Sequence, residues 1–185
     1  TIDAQTGPVE VYRPVMPAAN IDPALRQYLQ PTIAISAGHP RIQQLAAETA
    51  PPAADRRQQI QRLVEWQQAN IQREPVDVFT ALDVLETGKA ECQGHALLFA
   101  ALARSSGIPT RIVNGIVYVP DFEGFLYHSW NESYIDGNWM AIDPTFGQVP
   151  ADATHLKLVE GHNPADLTPL LEFIGRIRVA VLTVR

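Results

Sequence analysis

Glu86-Thr87-Gly88-Lys89-Ala90-Glu91-Cys92-Gln93-Gly94-His95-Ala96-Leu97-Leu98-Phe99-Ala100-Ala101-Leu102-Ala103 is the stretch that decides how the chain folds. Glu86 to Ala90 reads as a turn built round Gly88, and from Cys92 onward only Gln93, Gly94 and His95 interrupt an apolar run. A helix apolar on every face is buried on most sides. Gly107 and Pro109 stop it. Cys92, the only cysteine, falls in the first turn, where unpaired N–H groups and the positive end of the macrodipole favour an anion. A lone cysteine is by default a small buried hydrophobe; with an imidazole as ion-pair partner it becomes a thiolate nucleophile at neutral pH.

Such a partner lies downstream. Thr110 to Val119, Thr-Arg-Ile-Val-Asn-Gly-Ile-Val-Tyr-Val, is rich in β-branched residues and reads as a strand with a bulge or close backbone approach at Gly115. After the loop from Pro120 to Gly124, the segment Phe125 to Ile135 alternates, so that His128 and Trp130 share one face. Asp136-Gly137 is a two-residue hairpin signal, and Trp139-Met140-Ala141-Ile142-Asp143-Pro144 is the returning strand. Pairing about that turn sets Ile135 opposite Asn138, Trp130 opposite Asp143 and His128 opposite Thr145. Asp143 is then diagonal to His128, within reach of its ring.

That order supplies a Cys92, His128, Asp143 triad. A carboxylate on one imidazole nitrogen fixes the tautomer and stabilises the imidazolium, while the other nitrogen exchanges a proton with the sulfur. Gln93, His95 and Trp130 are candidates for positions near the site. The backbone N–H of Cys92 is the expected oxyanion donor.

Gly88-Lys89-Ala90-Glu91-Cys92-Gln93-Gly94-His95-Ala96, Arg104 through Gly115, His128-Ser129-Trp130-Asn131-Glu132 and Trp139-Met140-Ala141-Ile142-Asp143-Pro144-Thr145 together closely resemble the transglutaminase-like core of bacterial candidate cysteine proteases. The resemblance covers about residues 60 to 160. It implies an α+β, papain-like transglutaminase core: a nucleophile helix packed on an antiparallel sheet that carries histidine and aspartate, here preceded by an N-terminal helical section. It also implies that Cys92 is the nucleophile, His128 the general base and acid, and Asp143 the orienting carboxylate. Ala90-Glu91 stands where Gly-Asp is frequent, and Asn131 where an aliphatic residue is common.

Composition fits one globular enzyme domain: 185 residues, 46% hydrophobic and 18% charged. A net charge of −6 without a basic cluster argues against a nucleic-acid surface. The longest apolar run, Ala96 to Ala103, is too short to span a bilayer. A single cysteine excludes an internal disulfide. The chain opens on Thr1, as a cut or processed protein would, and an exported or periplasmic setting is favoured over a cytoplasmic one. Residues 1–24, with Pro8, Pro14, Pro17 and Pro23, read as an extended arm before a catalytic domain over 25–185. Helices are expected from Pro23 to Leu29, Pro40 to Thr49, Asp55 to Ile71 and Val76 to Leu85, and further strands at Leu156 to Val159 and Arg176 to Arg185. In the helix over 55–71, Trp66 reads as core and Asn70 as surface. The loop Asp121 to Phe125 reads as a surface turn, with a border or cover of the cleft as the alternative.

The expected chemistry is acyl transfer on an amide or peptide bond through a thioester, with hydrolysis favoured over transamidation and without cofactor or metal. The expected partner is a peptide, a protein or another amide. Two alternatives compete: a non-catalytic peptide-binding module, and a zinc site using Cys92, His95, His128 and Asp143, the first pair having the Cys-x-x-His spacing of one helical face.

Overall fold

The computed structural model describes residues 21–173 together with Arg176 and Val179. Most of the expected arm over 1–24 and of the expected strand from Arg176 to Arg185 therefore lies outside the described residues. Pro23–Leu29 is a 3-10 helix started by Asp22, whose carboxylate accepts from the Ala24 N–H at 2.9 Å. Helices α1 (Pro40–Thr49) and α2 (Arg56–Asn70) follow, the second capped by Asp55. Gln72–Arg73 (β1) pairs in parallel with Lys89–Ala90 (β2), and between them lies α3, Ala81–Thr87.

The helix expected over Val76 to Leu85 thus begins later and ends two residues further on. Thr80 and Asp83 make a reciprocal cap: the Thr80 hydroxyl accepts from the Asp83 N–H at 3.1 Å, and the Asp83 carboxylate accepts from the N–H groups of Thr80 and Phe79 at 2.9 and 3.0 Å. That cap fixes the start at Ala81, whatever the hydrophobicity upstream. Gly88 ends α3 at φ 65°, a left-handed conformation that turns the chain into β2.

The apolar stretch forms α4, Cys92–Ser105, and every residue from Gly94 to Arg104 is buried. One side of α4 meets α1, α2 and α3; the other lies on a four-stranded antiparallel sheet. Its strands are β3 (Thr110–Val119), β4 (Gly124–Ile135), β5 (Asn138–Ile142) and β6 (His155–Glu160), in the order β5-β4-β3-β6. A short helix, α5 (Pro164–Leu167), follows β6. The buried Arg104 locks the end of α4 to the chain around it, donating to the carbonyls of Thr110 at 2.9 Å and Gln30 at 2.6 Å. Trp66 packs against the core and Asn70 is exposed, as expected.

Asp136 and Gly137 both have positive φ, 52° and 83°, as the two-residue turn requires. Ile135 faces Asn138 and the ladder runs to Asn131 opposite Ile142. Gly115 sits opposite His128, where the β3–β6 register shifts between Asn114 and Gly115. A Cβ there would come 2.0 Å from the Leu156 carbonyl oxygen and 3.0 Å from the Trp130 ring. Gly115→Ala is therefore expected to pry β6 from β3 and destabilise the protein by about 3 kcal/mol, measured by urea denaturation.

Candidate active site

Cys92 is the first residue of α4 and is partly exposed, while Gly94 onward is enclosed. The nucleophile candidate is thus mounted where the helix leaves the core, with the backbone N–H groups of Gln93 and Ser129 directed at the sulfur. Across from it, β4 presents His128. Nε2 of His128 lies 2.8 Å from Oδ2 of Asp143, and the same ring is close enough to the Cys92 thiol for each to shift the other's proton affinity. The three residues, far apart in the chain, meet in the order sulfur, imidazole, carboxylate.

Asp143 does not continue the ladder opposite Trp130. The strand stops at Ile142, and Asp143 turns out to bridge Gln148, its N–H on the Gln148 carbonyl at 3.0 Å and the reverse bond at 2.9 Å. The turn brings the N–H groups of Thr145 and Phe146 onto Oδ1 at 2.8 and 3.2 Å and frees Oδ2 to face the imidazole. Gln68 of α2 holds the turn through the Pro144 carbonyl, 2.5 Å away.

Electrostatics follow from these contacts. Burial pushes the Cys92 thiol up, but the hydrogen bond and positive charge of His128 outweigh it, so the thiol ionises below its ordinary range. Burial disfavours the His128 cation; its bonds to Asp143 and Cys92 overcome that and hold the proton up to about 9. Burial raises the Asp143 carboxyl, and the hydrogen bonds from His128 and His155 bring it well below the usual carboxylate range.

Aromatic rings immobilise the base. Phe146 stacks on His128 with centroids 4.8 Å apart and planes at 11°, and the Arg73 guanidinium covers the outer face of Phe146 at 4.9 Å. Trp130 stacks at 6.2 Å from His128, placing this near-site candidate in the wall of the site. Gln93 is exposed beside the thiol. His95 is enclosed with neither ring nitrogen hydrogen-bonded, and burial lowers its proton affinity to about 4, so it is a neutral packing residue rather than a donor.

Two features escaped the sequence reading. Tyr127, half exposed, donates its hydroxyl to Asn114 at 2.8 Å and lies 3.2 Å from the Ser129 hydroxyl, within electrostatic reach of the thiol. His155, the first residue of β6, places Nε2 3.0 Å from Oδ2 of Asp143. Its presence beside a carboxylate on another strand end depends on β6 pairing with β3, which no local pattern announces. The zinc set of Cys92, His95, His128 and Asp143 is not assembled: among the described residues, the donor atoms gathered within 4.8 Å are those of His128, Asp143 and His155. Direct imidazole–carboxylate hydrogen bonds already join them.

Beyond Tyr127 the same side of the sheet opens into a cavity of about 820 Å³ walled by Ile116, Tyr118, Phe125, Leu158 and Phe173, with Glu123 among its lining residues. The loop over 121–125 borders this cavity, whose lining does not include Cys92, His128 or Asp143. Among the described residues no helix is long and apolar enough to cross a membrane.

The profile of the Transglutaminase-like superfamily matches residues 43–144. Kyphoscoliosis peptidase of Mus musculus and of Homo sapiens is 30% identical over 106 residues, which covers 54% of this chain and 16% of that protein. The chain therefore spans about a sixth of the length of these curated relatives. A candidate cysteine protease of Cytophaga hutchinsonii superposes with a TM-score of 0.69 at 22% identity, covering 83% of this chain and 52% of that one. The periplasmic domain of TgpA from Pseudomonas aeruginosa does so with a TM-score of 0.52 at 24% identity, covering 70% and 49%.

Proposed function

The chain belongs to the transglutaminase-like superfamily, and from that premise we propose that it is a thiol-dependent enzyme acting on amide or peptide bonds. The observation that supports this best is His128 held between the Asp143 carboxylate and the Cys92 sulfur at the head of α4. The Cys92 thiolate attacks the carbonyl carbon, and the backbone N–H of Cys92 at the positive end of α4 stabilises the oxyanion. His128 delivers its Nδ1 proton to the departing amine as the carbon–nitrogen bond breaks, leaving a thioester on Cys92. Neutral His128 then takes a proton from the incoming water, the thioester opens to a carboxylic acid, and the thiolate and imidazolium are restored.

Hydrolysis is favoured over transfer to an amine because Cys92 is only partly covered and leaves the thioester accessible to water. The periplasmic placing of the TgpA domain, which shares this fold, supports an exported setting for this chain.

The state of the thiol tests the reading. Iodoacetamide is expected to alkylate Cys92 at pH 6 roughly ten times faster than it alkylates glutathione, because the hydrogen bond and charge of His128 favour the thiolate. The rate should hold level through neutrality and change again near pH 9, where His128 loses its proton. Slow alkylation with an ordinary thiol titration would overturn the assignment. Product analysis with glutamine-containing peptides, with and without a labelled primary amine, then separates hydrolase from acyltransferase; tight peptide binding without turnover would instead identify a binding module.

A further inference from the structure

We propose that His155 is a positioning residue for the Cys92–His128 pair, acting through the Asp143 carboxylate that the two imidazoles share. The proposal rests on the thiol-enzyme reading above but concerns a group that neither sequence motif nor triad logic requires.

The geometry is specific. Both Nε2 atoms fall on the same oxygen, Oδ2 of Asp143, at 2.8 Å from His128 and 3.0 Å from His155. The His155 side chain is only 3% exposed, and its other nitrogen, Nδ1, lies 3.2 Å from both the carbonyl and the Oδ1 carboxylate oxygen of Asp152. A carboxylate is an acceptor only, so the contact with Oδ2 calls for an N–H on Nε2 of His155. Asp152 is itself fixed, accepting from the Thr154 N–H at 2.9 Å and the Gln148 side chain at 2.9 Å. A continuous chain results: Asp152, His155, Asp143, His128, Cys92.

A second N–H donor on Oδ2 has two effects. It pins the carboxylate rotamer so that Oδ2 stays aimed at His128, and it draws on the negative charge that would otherwise hold the His128 proton more tightly. His128 must give that proton to a leaving amine, so a partly shared carboxylate makes it the better acid. The charged and titratable groups facing this chain are Cys92 and His95 from α4, Arg73 from β1, Tyr127 from β4, and Asp143 and Asp152 from the loop after β5; Trp130 and Phe146 supply apolar walls to His155 at centroid distances of 5.2 and 6.4 Å. Asp152 is a further acid among them, and its carboxylate contacts His155.

The experiment compares His155→Leu and His155→Gln with the unaltered protein. His128 is titrated through its ring proton and nitrogen resonances by NMR, and kcat and KM are followed against pH. Removing the shared donor is expected to raise the His128 titration midpoint by about one pH unit in the Leu variant, and by less in the Gln variant, whose amide N–H can still reach Oδ2. The alkaline limb of kcat should move up with it, kcat at pH 7 should fall roughly tenfold, and KM should change little. A His128 midpoint that stays within about 0.2 unit in a Leu variant of native circular dichroism overturns the proposal. So does a loss of activity without movement of either limb, which is the result of merely structural damage. The NMR readout needs no turnover, so failure of the thiol-enzyme reading, seen in the alkylation profile of the unaltered protein, stays distinguishable from failure of this one.

Discussion

Cys92→Ala is expected to reduce amide turnover by about 10⁴-fold or more, to the background of the assay, and His128→Ala to do the same. The chain contains no second cysteine, so nothing replaces the sulfur. Without His128 the thiol loses both the cation that ionises it and the acid that protonates the leaving amine. Because the two act as a unit, the double variant should be no slower than either single one. Folding should survive the first change, since Cys92 is partly exposed at a helix start and alanine is a good helix former. The check is turnover alongside thermal melting: activity lost with the melt retained supports the assignment, whereas residual turnover in Cys92→Ala above about one per cent would sink it.

Asp143 separates two ways of damaging the same site. Asp143→Asn is expected to lower kcat by roughly 10²- to 10⁴-fold while retaining the fold. An amide N–H facing His128 Nε2 forces that nitrogen to accept, which moves the proton to Nδ1 and leaves the ring unable to take one from the thiol. Asp143→Ala goes further. The carboxylate is fully buried and receives His128, His155 and the Thr145 and Phe146 N–H groups, so its removal leaves a buried set of donors without an acceptor. We expect a loss of about 3–5 kcal/mol in urea denaturation on top of the catalytic loss. An Asn variant with near-normal kcat would remove Asp143 from the mechanism.

Much of this site is legible in local sequence because each catalytic residue is delivered by a short-range signal. Gly88 and the apolar run place Cys92 at a helix head, and Asp136-Gly137 sets the hairpin register that brings His128 and Asp143 to one corner. The details that resisted reading have longer range. The start of α3 is set by Thr80 and Asp83, a capping pattern that places it at Ala81 rather than Val76. The exit of Asp143 from the ladder arises from a turn closed by Gln148 and buttressed by Gln68 of α2, a contact across 76 residues. His155 reaches the site because β6 crosses to pair with β3 through an irregular register, and its own neighbourhood in the sequence carries no sign of that destination.

The enclosure of α4 from Gly94 to Arg104 has a bearing on how such an enzyme fails. Its peptide groups sit among the most shielded of the molecule, so fraying of peripheral loops leaves the sulfur's mounting undisturbed. Inactivation on heating should then be all-or-none, coincident with cooperative collapse of the interior rather than preceded by gradual drift of the reactive atom.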